Sequence, residues 1–381
     1  MTLLPPVRPT ESASPDVLYI SRKHPPSLGG MQKLSARLVA GLREKARVTA
    51  LVHDCSRWSL APFLYIAMVR LGSRLVLGPR PRIVHFGDPL VAVLAPVCRL
   101  AGISTVVTVH GLDVTYPHPL YQLLLRIGDL GIDRYIAISR EARDACLRRG
   151  ISADRCALIS PGVDIATSSD RLTRAALSRV LGLPDFAGPV LLTVGRLVPR
   201  KGVAWFVENV LPGLVARQPA LMYVVVGDGP DRERIKAATE RVGCARHVAL
   251  VGRVQEDVLR LCHASADLFI MPNVPTEHDV EGFGLVAVEA AAAGLPVVAS
   301  NLEGIRDAIQ HEKNGLLVPP RESAVFREVI LRYIEDEPAR LELGRRAADF
   351  TRVTYGWDRM TARYIEEYER AMRSLADRLE K

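Results

Sequence analysis

The stretch "PVLLTVGRLVPRKGVAWFVENVLPGLV" (189–215) joins an unbroken apolar run to an amphipathic one across a turn that has glycine at each end. The first run, "PVLLTVG", does not alternate apolar with polar residues. It therefore reads as a strand buried on both faces, as in parallel sheets sandwiched between helices. "VAWFVENVLPGLV" then reads as the helix that returns the chain. Working outward, the same unit recurs. Strands are expected at 221–229, 247–252, 268–272, 295–300 and 314–318 downstream, and at 16–21, 47–53, 82–86, 104–111, 134–139 and 156–160 upstream. Two such sets imply α/β architecture with two doubly wound Rossmann-like domains facing across a cleft. The joint falls in the polar, Pro- and Gly-bearing segment 164–188, so the domains are taken as 1–168 and 169–354, with a long polar helix at 355–381.

Composition narrows the class. A 381-residue chain with 48% hydrophobic and 24% charged residues is a globular protein too long for one ordinary core. The longest apolar run, "LAPFLYIAMV" (60–69), is far short of the roughly 18 residues that a membrane span needs. The opening "MTLLPPVRPTESASPD" lacks the basic start and apolar core of a secretory signal and reads as a disordered lead-in. Six scattered cysteines without a CxxC pair argue against a zinc site or a disulfide framework, which suits a cytoplasmic protein.

Charge is uneven. Residues 1–168 hold 21 Lys and Arg against 12 Asp and Glu, a net +9, while the remainder holds 29 against 30, a net −1. Between Asp54 and Asp88 there is no acid, but Arg57, Arg70, Arg74, Arg80 and Arg82 stand among Trp58, Phe63 and Tyr65. Residues 57–82 suit either an anionic membrane surface or a core helix with a solvated face. No nucleic-acid motif accompanies the charge, so no nucleic-acid partner is expected.

Ligands of doubly wound sheets bind beyond the carboxyl ends of the strands, so the residues there carry the functional reading. Arg196 and Lys201 follow one strand and precede a helix, an arrangement that suits a diphosphate as well as a solvated basic loop. Gly29 and Gly30 open a helix after the first strand, where a ligand or merely a tight turn would need them. His110 ends another strand, as a ligand contact or a structural histidine. In "HDVEGFGLVAVEAAAAGLPVVAS" (278–300), Glu281 precedes a helix and Glu289 lies within it, seven residues between them. A carboxylate at either place accepts hydroxyl hydrogen bonds from a sugar or ribose, although a hydrolase acid–base pair or a cap and a paired core acid use the same residues.

Together, the glycine pair, the HG after a strand, "GRLVPRKG" and E-x7-E within "EGFGLVAVEAAAAGLPVVAS" resemble the family-four glycosyltransferases of the GT-B fold, over nearly the whole chain. The resemblance implies a retaining hexosyltransferase. Its donor would be GDP-mannose or a UDP-hexose, and its acceptor a glycan, a lipid-linked molecule or a small molecule. Arg196 and Lys201 would hold the donor diphosphate, Glu289 the ribose and Glu281 the sugar hydroxyls. Backbone amides of Gly282, Phe283 and Gly284 would cap phosphate or sugar oxygens, Gly30 would let the diphosphate pass and His110 would contact the transferred sugar. The helix 355–381 would cross back to the N-terminal domain. No cofactor and no metal is implied, since D-x-D is absent and the Arg/Lys pair supplies the positive charge. "NLEGIRDAI" departs from the family's usual two glycines and Pro-Glu, which leaves the sugar open.

The alternative within the same shape is a nucleotide-sugar epimerase acting without an acceptor. A phosphorylase would need a pyridoxal-phosphate lysine and a longer chain. A nonenzymatic binder has no need of the full motif set, and a nicotinamide oxidoreductase would need G-x-G-x-x-G.

Overall fold

The computed structural model describes residues 2–4, 15–25, 30–53, 60–164, 174–182, 187–277 and 279–379. Gly29, Arg57, Trp58 and most of the N-terminal lead-in lie outside the described residues. The chain divides into two compact units, Met1–Gly162 with Trp357–Lys381, and Val163–Gly356.

Unit 1 holds strands β1 (Thr2–Leu4), β2 (Asp16–Ser21), β3 (Arg47–Val52), β4 (Ile83–Phe86), β5 (Ser104–Val109), β6 (Arg134–Ala137) and β7 (Cys156–Leu158). They lie in the order β1-β3-β2-β4-β5-β6-β7, all parallel except β1, which runs antiparallel to β3. β1 corrects the reading of the whole N-terminus as a disordered lead-in. Three residues are too few for a periodic signal, and they are fixed by backbone pairing with an exposed sheet edge, Leu3 opposite Leu51.

Alternation along the strands separates the two faces of this sheet. Leu18, Ile20, Val84, Phe86, Val107 and Val109 pack with Phe63, Leu71, Cys98 and Leu125 from the helices Leu60–Leu77, Ala95–Leu100 and Pro119–Asp129. The opposite face carries Tyr19, His85 and Thr108. There His85 Nδ1 lies 2.6 Å from the Tyr368 hydroxyl and Nε2 2.9 Å from Thr108 Oγ1, which is 3.2 Å from the Tyr364 hydroxyl. Burial, with His110 nearby, pushes the His85 imidazole down to about 3, so the ring is neutral. Tyr364 and Tyr368 come from the helix Trp357–Leu379, which is amphipathic rather than polar throughout. Arg134 anchors it, with its Nε 2.8 Å from the buried Glu367.

Unit 2 holds β8 (Val190–Val194), β9 (Met222–Val226), β10 (Val248–Gly252), β11 (Leu268–Met271), β12 (Val297–Ser300) and β13 (Leu316–Val318), all parallel in the order β10-β9-β8-β11-β12-β13. The central strands β11 and β12 are wholly buried and the edge strand β10 is mostly half-buried, as expected of a sheet covered by helices on both faces. Counted from β8 this is the order 3-2-1-4-5-6, whose direction of winding reverses between β8 and β11. In unit 1, counted from β2 and setting β1 aside, the reversal falls between β2 and β4. At each reversal the crossover helices leave toward opposite faces and open a crevice at the strands' carboxyl ends, the ligand position of this architecture.

Candidate active site

The crevice of unit 2 is built from the segments that follow β8 and β11. After β8 the chain makes a 3-10 turn at Pro199–Lys201 and enters the helix Val203–Asn209 through Gly202, whose φ is 66°. A β-carbon on Gly202 would stand 1.9 Å from the Pro272 carbonyl oxygen, so only glycine lets this turn press against the end of β11. The Val274 amide donates to the Arg200 carbonyl at 2.9 Å and closes the contact.

The side chains converge on one carboxylate. Lys201 Nζ lies 2.5 Å and Asn273 Nδ2 3.0 Å from Glu281 Oε2, and an Arg200 guanidinium nitrogen is bonded to the same oxygen. The other side of Arg200 meets Asp279 at 2.9 Å. Burial alone would raise the Glu281 carboxyl, but Lys201, Arg200 and the Asn273 hydrogen bond together bring it down to about 2. Burial lowers the Lys201 ammonium, and Glu281 offsets this only in part. The result is a water-poor hub of two cations and one carboxylate at the switch point.

The loop after β12 completes the hub. The Glu281 amide donates to Glu303 Oε2 at 2.5 Å, and the Gly304 amide donates to the Glu281 carbonyl at 3.2 Å. Glu303 holds φ at 46°, a left-handed conformation that non-glycine residues rarely adopt. Gly304 is required here too, since a β-carbon would meet the Gly282 carbonyl oxygen at 2.3 Å.

Among the residues expected from sequence, Lys201 and Glu281 are in direct contact, whereas Arg196 stands exposed just beyond β8. Gly282 leads into Phe283, which is buried edge-on against Tyr355, and then into Gly284, whose φ of 85° starts the helix Leu285–Ala292. Glu289 is half-buried on the second turn of that helix. In unit 1, Gly30 is exposed at the start of the helix Gly30–Lys45, and His110 is buried directly after β5. The His110 amide donates to both oxygens of Asp113, at 3.0 and 2.9 Å. Burial raises the Asp113 carboxyl.

Sequence reasoning missed Arg200, Asn273 and Glu303. Asn273, a polar residue two positions past an apolar strand, was findable by the strand-end rule. Arg200 sits at a variable position of the R-x4-K pattern, and Glu303 occupies a place where glycine was expected, so neither carried a signal. Arg74, which was grouped with the basic stretch 57–82, turns inward. Its guanidinium donates to Thr49 Oγ1 at 2.8 Å and meets Asp16 at 3.7 Å.

With this geometry in view, comparisons with known proteins agree on the class. Residues 16–167 match the model described as Glycosyltransferase Family 4, and residues 188–336 the model described as Glycosyl transferases group 1. A GDP-mannose-dependent alpha-(1-6)-phosphatidylinositol monomannoside mannosyltransferase of Mycobacterium tuberculosis is 31% identical over 379 residues, covering 92% of this chain and 97% of the relative. Among solved structures, sucrose-phosphate synthase of Thermosynechococcus elongatus superposes with a TM-score of 0.73 at 20% identity, over 94% of this chain and 100% of its own. Anabaena HepE in complex with UDP superposes with a TM-score of 0.71 at 19% identity, over 92% and 98%.

Proposed function

Because this chain belongs to glycosyltransferase family 4 and is a nucleotide-sugar-dependent hexosyltransferase, we propose that it is a retaining, metal-independent mannosyltransferase that uses GDP-mannose. The observation that carries the site reading is the Lys201–Asn273–Glu281 hub at the switch point of the unit 2 sheet. The choice of mannose rests on the name of the mycobacterial relative, matched over 97% of its length.

In this reading Arg196 and Lys201 take the donor diphosphate and balance the charge that develops on the leaving phosphate oxygen. Lys201 already has Glu281 as a partner, so an incoming diphosphate would share a fixed cation and would not have to order a mobile one. Glu281 accepts hydroxyl hydrogens of the sugar, Glu289 those of the ribose, and the amides of Gly282, Phe283 and Gly284 donate to phosphate or sugar oxygens. Gly30 leaves room for the diphosphate in unit 1, and His110 contacts the transferred sugar. The bond from the anomeric carbon to the phosphate oxygen breaks as the acceptor oxygen forms its own bond on the same face. The acceptor proton leaves with the phosphate. No epimerase appears among the family and the relatives described above.

For the acceptor we propose a polyol or glycan carried at an anionic membrane surface. Among the described residues, twelve of the 16 exposed large hydrophobic residues fall between Tyr65 and Leu130, ten of them on helices that pack on one face of the unit 1 sheet. Arg70, Arg80, Arg82, Arg99 and Arg126 are exposed there, while the acids of residues 60–128, Asp88 and Asp113, are not. Exposed apolar residues together with arginines and no exposed acid are complementary to anionic lipid. Among the described residues no helix is long and apolar enough to cross a membrane.

The test is turnover of GDP-mannose in chelator with mycobacterial-type phosphoinositides in phosphatidylglycerol vesicles, with the product anomer read by NMR. An α-mannosyl product insensitive to chelator is expected. An inverted product, or an absolute need for a divalent ion, would overturn the mechanism. Loss of vesicle binding in Arg70→Glu/Arg126→Glu is the corresponding expectation for the lipid face, and indifference to lipid charge would exclude it.

A further inference from the structure

The carboxylate at the centre of the unit 2 hub has more positive charge beside it than it can balance. Arg200 and Lys201 are consecutive in the 3-10 turn Pro199–Lys201, and both donate to Glu281 Oε2, which also accepts from Asn273 Nδ2 at 3.0 Å. The Arg200 carbonyl takes the Val274 amide at 2.9 Å, so the backbone that aims both cations is tied to the segment after β11. Burial lowers the Lys201 ammonium, and Arg200 adds to this as a like-charged neighbour, while Glu281 works the other way. A second acid, Asp279, lies 2.9 Å from Arg200 Nε. Its side chain is 48% exposed, against 11% for Glu281, so water screens much of its charge.

Were Lys201 the only cation on Glu281, the pair would be close to neutral and the ammonium would have little field left for a phosphate. With Arg200 on the same oxygen, Glu281 is compensated twice and part of the Lys201 charge remains for an incoming anion. We propose that Arg200 is a positioning residue for the donor: by holding Glu281 Oε2 it leaves the Lys201 charge available to the diphosphate, and Asp279 sets how firmly it holds. This deepens the transferase reading, on which it rests for the identity of the anion. Arg200 needs no contact with the ligand in this role. A guanidinium suits it, because the planar fork meets Glu281 and Asp279 at once and keeps its charge when buried.

GDP lacks the sugar that Glu281 would hold, so its affinity isolates the charge. Calorimetric titrations of GDP, with inorganic pyrophosphate in parallel, are run on wild type, Arg200→Met, Glu281→Gln and the double variant. Arg200→Met should weaken GDP about tenfold, the loss of one charge-assisted interaction. In the Glu281→Gln background the same change should cost less than about twofold, because no carboxylate is left to neutralise Lys201. Arg200→Lys keeps a cation beside Glu281 and should recover most of the loss. A guanidinium that touched the diphosphate itself would cost as much in either background, and that result would overturn the inference. So would an Arg200→Met variant that binds GDP like wild type. Where Glu281→Gln does not fold, the half-exposed Asp279 supplies a second cycle. Asp279→Asn should tighten GDP about threefold in wild type and leave it unchanged in Arg200→Met, whereas equal tightening in both would mean simple repulsion and overturn the inference. If wild type takes pyrophosphate but not GDP, the transferase reading fails while the same cycles on pyrophosphate still decide the role of Arg200. Binding of neither would overturn both.

Discussion

Glu281→Gln is the perturbation that tests the hub most severely. The substitution keeps the shape and an oxygen for Asn273, but it removes the charge that balances Lys201 and Arg200. Arg200 still has Asp279 at 2.9 Å, so the loss falls on Lys201, which is 8% exposed. Removing one partner of a buried ion pair costs about 3–5 kcal/mol. A retained amide acceptor returns about 1 kcal/mol, leaving a net loss of about 3 kcal/mol at neutral pH. The acid side gives an independent check. Burial would raise the Glu281 carboxyl, but its cations hold it at about 2 against an ordinary 4.5. A depressed carboxylate stabilises the fold above its unfolded value and loses that contribution as pH falls through its folded value, here about 3 kcal/mol between 4.5 and 2. The difference between wild type and variant should therefore narrow as pH drops below 4.5. Hydrogen exchange at the amides of β8–β13 reads unit 2 without assuming that the whole chain unfolds in one step. A loss under about 1 kcal/mol, or a gap that acid does not narrow, would show that Glu281 does not balance Lys201 in the folded protein.

Substitutions at three further positions follow from backbone and core geometry. Gly202→Ala places a β-carbon against the Pro272 carbonyl and should lower unit 2 stability by about 3 kcal/mol together with nucleotide binding; an unchanged melting temperature would contradict it. Glu303→Gly relieves about 1 kcal/mol of left-handed strain while losing its bond to the Glu281 amide, whereas Glu303→Ala loses the bond and keeps the strain. The alanine variant should be the less stable by urea midpoint, and the reverse order would show that the strain is not held. Tyr368→Phe strips the buried His85 of its 2.6 Å partner and should cost about 1–2 kcal/mol by urea unfolding of unit 1, a neutral result meaning that the tyrosines seat their helix by packing alone.

The layered α/β class was legible because fully buried parallel strands write continuous apolar runs: "DVLYIS" (16–21) is β2 residue for residue. Strand ends were overread where a glycine or polar residue follows the last ladder bond, as at 221–229 against Met222–Val226. β1 was illegible, since its three residues are ordered only by a sheet edge that is distant in sequence. The seam of Tyr364 and Tyr368 was read as part of a polar helix because the intervening charges dominate composition, while the faces separate only on a helical wheel. At the site, Lys201 and Glu281 were visible as charges beside apolar elements. Their direct contact was not, because it depends on β8 and β11 being neighbours, which is a fact of topology. Arg200 and Glu303 became visible only once the neighbouring strands of the unit 2 sheet were known.

The proposed central property of unit 2 is that it holds a nucleoside diphosphate through these residues. Calorimetric titration in chelator with GDP, UDP and ADP, on wild type, Arg196→Ala and Glu289→Ala, measures this directly. GDP should bind most tightly, and each variant should weaken it about tenfold or more, as expected for loss of a charge-assisted contact. Equal binding by the variants, or no binding of any diphosphate by wild type, would contradict it.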